Sequence, residues 1–172
     1  MLGFDGFLIA CQGIGALIGA GSAVLGEVAY VRALCDGRID EAERAHLNHL
    51  ARGLRFGMML ALLASLGLVI LAYLRHAMLQ PALTSGYWIF VALALGVIYL
   101  SWAISRRRIS FVLGSAAAFT AWWFLAYLSL GFLSGISFGA AVALYVVAAA
   151  VFYALLRYAH FLIIPPGTPR SS

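Results

Sequence analysis

Glu27 is the one carboxylate of this chain that falls inside a long apolar run. An ionisable group at such a position points to a site for an ion, a proton or a substrate, because charge inside a membrane is costly to keep. The alternatives are a structural ion pair near the interface or snorkelling toward water. The remaining acids, Asp5, Asp36, Asp40, Glu41 and Glu43, lie outside the apolar runs, so Glu27 has no second intramembrane acid beside it. Paired acid–base chemistry needs two such groups.

The four histidines suggest metal or haem. His46 and His49 are three residues apart on one helical face, within reach of Glu43 or Asp36, and solvated loop histidines are the alternative. His76 and His160 belong to opposite membrane faces in the topology below, so they cannot share a site. No histidine lies in mid-span, which argues against a haem held between helices by two of them. Cys11 and Cys35 stand at opposite ends of the first apolar run, too far apart to pair within one protomer. There is no CxxC, G-x-S-x-G or HExxH. Gly13-x-Gly15 follows no strand, so a dinucleotide loop is rejected. The expectation is no catalytic residue, no metal and no cofactor.

The elements that must position these groups follow from composition. Of 172 residues, 65% are hydrophobic and 10% charged, with mean hydropathy +1.02. So little charge cannot cover a soluble domain of this length. Apolar stretches near the ~20 residues needed to cross hydrocarbon recur along the chain. They place spans at about 7–31, 55–74, 87–105, 110–132 and 138–160, the last two separated at Leu133-Ser134-Gly135-Ile136-Ser137. The expected fold is all-α, a polytopic transmembrane bundle of about five spans forming one domain over 1–164, with a flexible tail at 165–172.

The basic residues are all arginine, eleven of them, giving a net charge of +5. They cluster at span ends, which fits topology rather than nucleic acid. Arg32, Arg38, Arg44, Arg52 and Arg55 surround the first loop, Arg106, Arg107 and Arg108 fill the turn between spans 3 and 4, and Arg157 and Arg170 follow span 5. Only Arg75 falls on the other side. The positive-inside rule then puts the N-terminus outside and the C-terminus in the cytoplasm. Met1 to Asp5 carry no basic residue, so no cleaved signal peptide is read there. Arg-only usage in an Ala/Gly/Leu-rich chain suits a bacterial inner-membrane protein. Arg75 is open to three readings: pairing with Asp5, snorkelling to headgroups, or lining an anionic entry.

Asp40 as N-cap with Glu43 as its partner predicts a short amphipathic helix over about 40–54 at the cytoplasmic interface. Its alternative use is a docking surface. Tyr87 and Trp88 read as interfacial anchors. Trp122-Trp123 in mid-span point about 100° apart, so at most one faces a cavity or cofactor.

Span 1 is two-faced. Around Gln12, within about 100° either side, fall Gly13, Gly15, Ala16, Gly19, Ala20, Ser22, Ala23, Gly26 and Glu27. Ile14, Leu17, Ile18, Val24, Leu25 and Val28 take the opposite arc. Membrane helices associate across small residues, so Gln12, Gly15, Gly19, Ser22 and Gly26 are candidate packing positions. Span 5 carries Ala140, Ala143, Val147, Ala150, Ala154 and Arg157 at 3,4,3,4,3 spacing. The two stripes predict that spans 1 and 5 meet, with Glu27 paired to Arg157.

The order Gly19-x-Gly21, Glu27, Tyr30, Asp36, Ile39-Asp40, Glu43 and Gly57 resembles that of small uncharacterised bacterial polytopic membrane proteins. Those proteins have a Gly-rich first span, an acidic residue, an aromatic and a D-x-x-I-x-x-x-E loop. The resemblance covers about a third of the chain and implies the architecture without an activity. Cys11-Gln12 stand where some of those proteins carry a histidine. Three functions follow as expectations. The first is a non-catalytic subunit or interaction partner, contacting lipid and either its own copies or other membrane subunits. The second is a small transporter or ion-conducting protein using Glu27 with Arg75 or Arg157. The third is a haem- or quinone-associated redox component.

Overall fold

The computed structural model describes the backbone at residues 3–36, 41–76, 81–133 and 135–163, and side chains at 3–29, 49–76, 81–133, 135–159 and 161. Among the described residues the fold is all-helical: α1 (Phe4–Asp36), α2 (Glu41–Leu74), a 3-10 turn at Pro81–Leu83, α3 (Ser85–Ser105), α4 (Phe111–Ser129) and α5 (Phe138–Ile163). Five helical stretches are long and apolar enough to cross a membrane: Phe4–Ala29, His49–Leu74, Ser85–Ser105, Phe111–Ser129 and Phe138–Ala159. The chain is an integral membrane helix bundle.

Local chemistry sets the boundaries. Thr84 caps α3 by accepting from the Tyr87 amide, and Ser110 caps α4 by accepting from the Leu113 amide. The arginine turn is closed by Arg107 in the left-handed region at φ 53°, with the Arg108 guanidinium 4.9 Å above the Trp102 ring. The long uncharged run is cut at Gly131. That residue adopts φ 80° just past the C-cap Leu130, a conformation that costs side-chain-bearing residues about 1–2 kcal/mol. Ser85 Oγ donates to the Ile136 carbonyl and ties the following turn to the start of α3.

The amphipathic segment expected over about 40–54, leading into span 2, is continuous with that span in one helix, α2, which begins at Glu41. Gly53 and Gly57 flank the expected junction, but no proline interrupts the stretch, and the helix runs through both. Asp40 lies outside the described residues. Helices α1 and α2, of 33 and 34 residues, each run about 50 Å and exceed the ~30 Å hydrocarbon layer. The excess lies at the ends joined by the first loop.

Helix α1 packs along α2 and α4, α4 holds α3 and α5, and α3 touches α5. The small face of α1 makes the α1–α2 seam. A Cβ on Gly57 would lie 2.6 Å from the Gly15 carbonyl oxygen and 2.9 Å from the Gly19 amide nitrogen. A Cβ on Gly15 would lie 2.8 Å from both the Gly57 oxygen and the Ala61 nitrogen. Two backbones therefore touch, which is how helices gain contact where no hydrophobic force drives them together. Ser22 against Gly53, Leu8 against Gly67 and the Asp5–Arg75 ion pair continue the antiparallel register.

The predicted meeting of spans 1 and 5 is not the arrangement found. Helix α5 docks on α4 through Tyr145 and Phe152, with Phe152 stacked on Phe119 at 4.1 Å and Tyr145 OH donating to the Ala117 carbonyl. Ala141 and Ala148 are covered on the same side of the helix. Ala140, Ala143, Val147, Ala150, Ala154 and Arg157 all point outward. Aromatic stacking and a hydroxyl bond, rather than residue smallness, select the docked face.

Candidate functional site

The packing core is a layer of Ala16, Ala20, Met58, Ala61, Phe90, Ala94, Val97, Trp122 and Leu125. Trp122 is 2% exposed, and its ring occupies the space over Gly19, where a Cβ would run into Cζ3 and Cε3 of the indole. Its neighbour Trp123 points elsewhere, 36% exposed and beside Phe119 and Tyr127. Both indoles thus have protein packing partners.

Below this layer, at the end where the arginine turn lies, a groove of about 790 Å³ opens among α1, α2, α3 and α4. Its floor is α1 and α4, and its walls are α2 and α3, which do not pack along one another. Met59 on one wall and Ile98 on the other are largely exposed, so the slot between the walls opens sideways.

The lining is mostly apolar. Glu27, Arg55, Ser22, Ser101 and Ser115 are its polar members, with Leu50, Leu54, Ile104 and Phe111 around them at the arginine-turn end and Met58, Leu62, Val97, Phe119 and Trp122 inward. Glu27 is half-buried, and its Oε2 is shielded and makes no hydrogen bond among the described residues. Ser115 is 8% exposed, and its Oγ likewise has no partner among them. Ser101 spends its hydroxyl on the Val97 carbonyl at 2.8 Å. Helical side chains lean toward their own N-termini. In an antiparallel pair, Glu27 and Arg55 therefore lean toward a common level, yet they form no ion pair among the described residues.

Arg157 is not with Glu27. Its guanidinium lies 6.0 Å from the Tyr153 ring on the outward side of α5. Arg75 pairs with Asp5 at the opposite end of the bundle, with both side chains about half exposed. Of the candidate packing residues, Gly15 and Gly19 are in the seam and under Trp122, Ser22 meets Gly53, and Gly26 lines the groove with open space around it. Gln12 lines a second cavity of about 570 Å³ at the far end, with Ser65, Thr84, Ser85 and Tyr87. The side chains of His46 and His160 lie outside the described residues. Among those described, no three His, Cys, Asp or Glu side chains gather as a metal site.

Sequence reasoning singled out Glu27 and passed over Arg55 and Ser115. Arg55 reads as an orientation signal, and Ser115 is one hydroxyl in a run of small residues. Only the convergence of four helices gives either a setting. Comparison with protein-family models, with curated proteins and with solved structures found no match to this chain.

Proposed function

We propose that this protein is a non-catalytic subunit of an assembly in the bacterial cytoplasmic membrane, with its N-terminus outside and its C-terminus in the cytoplasm. The observation that carries the subunit reading is the outward stripe of α5. Ala140, Ala143, Val147, Ala150 and Ala154 lie exposed along one line, while the helix docks through its other face. Small residues bring no advantage against lipid but let another helix approach closely. The occupant is a second copy or another membrane subunit. The arginine bias across the five spans supports the orientation.

Purification in mild detergent tests the reading. A defined oligomer or a stoichiometric partner is expected, and Ala143→Leu with Ala150→Leu should disperse it. Leu144→Ala with Val151→Ala, placed off the stripe, should leave it intact. A monodisperse monomer that runs the same with and without the leucines refutes the proposal.

A second reading, a small transporter, is supported by the two cavities. They lie at opposite ends of one bundle, divided by the layer containing Phe90, Met58, Leu125 and Trp122. Glu27 borders one cavity and Gln12 the other. Flux in proteoliposomes that disappears in Glu27→Gln would favour this reading over the first.

A further inference from the structure

The geometry points to the groove beside Glu27 as a binding site for a zwitterionic amphiphile, one whose headgroup carries an ammonium next to a phosphate and whose acyl chain runs toward Trp122. The inference does not depend on the α5 stripe or on transport. It rests on three observations.

The first is the charge arrangement. Glu27 and Arg55 line one groove and form no ion pair among the described residues; Glu27 is half-buried and Arg55 exposed. Charge kept inside a membrane is costly, and a ligand bearing both signs gives each residue a partner at once. A purely anionic headgroup satisfies Arg55 and opposes Glu27. A purely cationic one does the reverse.

The second is Ser115. Its side chain borders the groove, and its hydroxyl is buried and without a partner among the described residues, although buried polar groups are ordinarily satisfied. It stands one helical turn inward from Phe111 at the start of α4, the depth at which the linkage between headgroup and chain would lie. There it would donate to an ester oxygen.

The third is shape. The polar lining ends where Met58, Leu62, Phe119 and Trp122 begin, and methionine walls adapt to a flexible chain. A volume of about 790 Å³ is within the range of sites for single small ligands, and the sideways opening between α2 and α3 gives a route from the bilayer.

The test uses the full-length protein, stripped of lipid in detergent and titrated with single-chain lipids followed by native mass spectrometry. Lysophosphatidylethanolamine supplies ammonium and phosphate, lysophosphatidylglycerol the phosphate alone, and a monoacylglycerol neither charge. One molecule of the first should bind, about tenfold or more tightly than the others. Glu27→Gln should erase the preference for the ethanolamine lipid over the glycerol lipid. Arg55→Gln should weaken both phosphate lipids, and Ser115→Ala should weaken all three while the fold is retained. Equal binding of all three lipids by the wild type overturns the inference, and so does an unchanged preference in folded Glu27→Gln. If a charge variant fails to fold, the wild-type lipid series still decides, because only the proposed site ranks the three in that order.

Discussion

The seam between α1 and α2 should respond to a single methyl group. At Gly57 an added Cβ would meet the Gly15 carbonyl oxygen at 2.6 Å, and ordinary contact begins at 3.4 Å, so the backbones must retreat by about 0.8 Å. Neither partner is a side chain that could rotate away. A gap of about 0.5–1 Å forfeits a quarter to a half of each dispersion contact it opens, and overpacking of this kind costs about 1–3 kcal/mol. Against this stands the helix propensity gained on replacing glycine by alanine, up to about 1 kcal/mol. Because backbone on both sides must give way, the overpacking cost falls in the upper part of its range, about 2–3 kcal/mol. Gly57→Ala should therefore lose a net of about 1–2 kcal/mol, a fall in Tm of about 2–8 °C for a chain of this size. Gly21 is the control. It lies on the exposed arc of α1 with nothing within 4 Å of its Cβ position, so Gly21→Ala keeps only the propensity gain. Thermal unfolding of the two variants in one detergent makes the comparison. Equal midpoints, or a Gly57→Ala midpoint at or above wild type, would refute backbone contact as the basis of the seam.

Three further outcomes follow. Gly131→Ala forces a side chain into φ 80° and should cost about 1–2 kcal/mol, whereas Gly139→Ala, in open space at the start of α5, should be neutral or better in the same melt. Tyr145→Phe removes the hydroxyl bond to Ala117 and should lower stability by about 0.5–1.5 kcal/mol; proteolysis should show α5 released more readily. Arg75→Ala breaks an ion pair whose two side chains are about half exposed, so the loss should stay within about 1 kcal/mol and shrink further in high salt.

The sequence makes the spans readable because each apolar run is bounded by arginines, turn residues or glycine. The α1 faces were equally legible, since glycine and alanine on one arc contrast with leucine and isoleucine on the other. Helix α5 offers no such contrast. Alanine occurs on its docked face at 141 and 148 and on its outward face at 140, 143 and 150, so smallness cannot choose between them. The choice belongs to Tyr145 and Phe152, whose partners Ala117 and Phe119 are on another helix. Trp122 poses a similar problem. Nothing local distinguishes it from Trp123, and its slot is a glycine about a hundred residues earlier in the chain. The groove is less legible still, because Glu27, Arg55 and Ser115 come from three helices and acquire a common setting only through packing.

The glycine seam also divides the bundle mechanically. With backbone resting on backbone at Gly15, Gly19, Gly57 and Ala61, α1 and α2 have no side-chain play at the middle of their seam and act together as one stiff beam. Helix α3 is held differently, against α4 and α5 through side chains, with the arginine turn at one end and the Pro81–Leu83 turn at the other. The beam forms one wall of the slot and α3 the other, so a displacement of α3 about its two turns would change the slot's width with the beam unmoved.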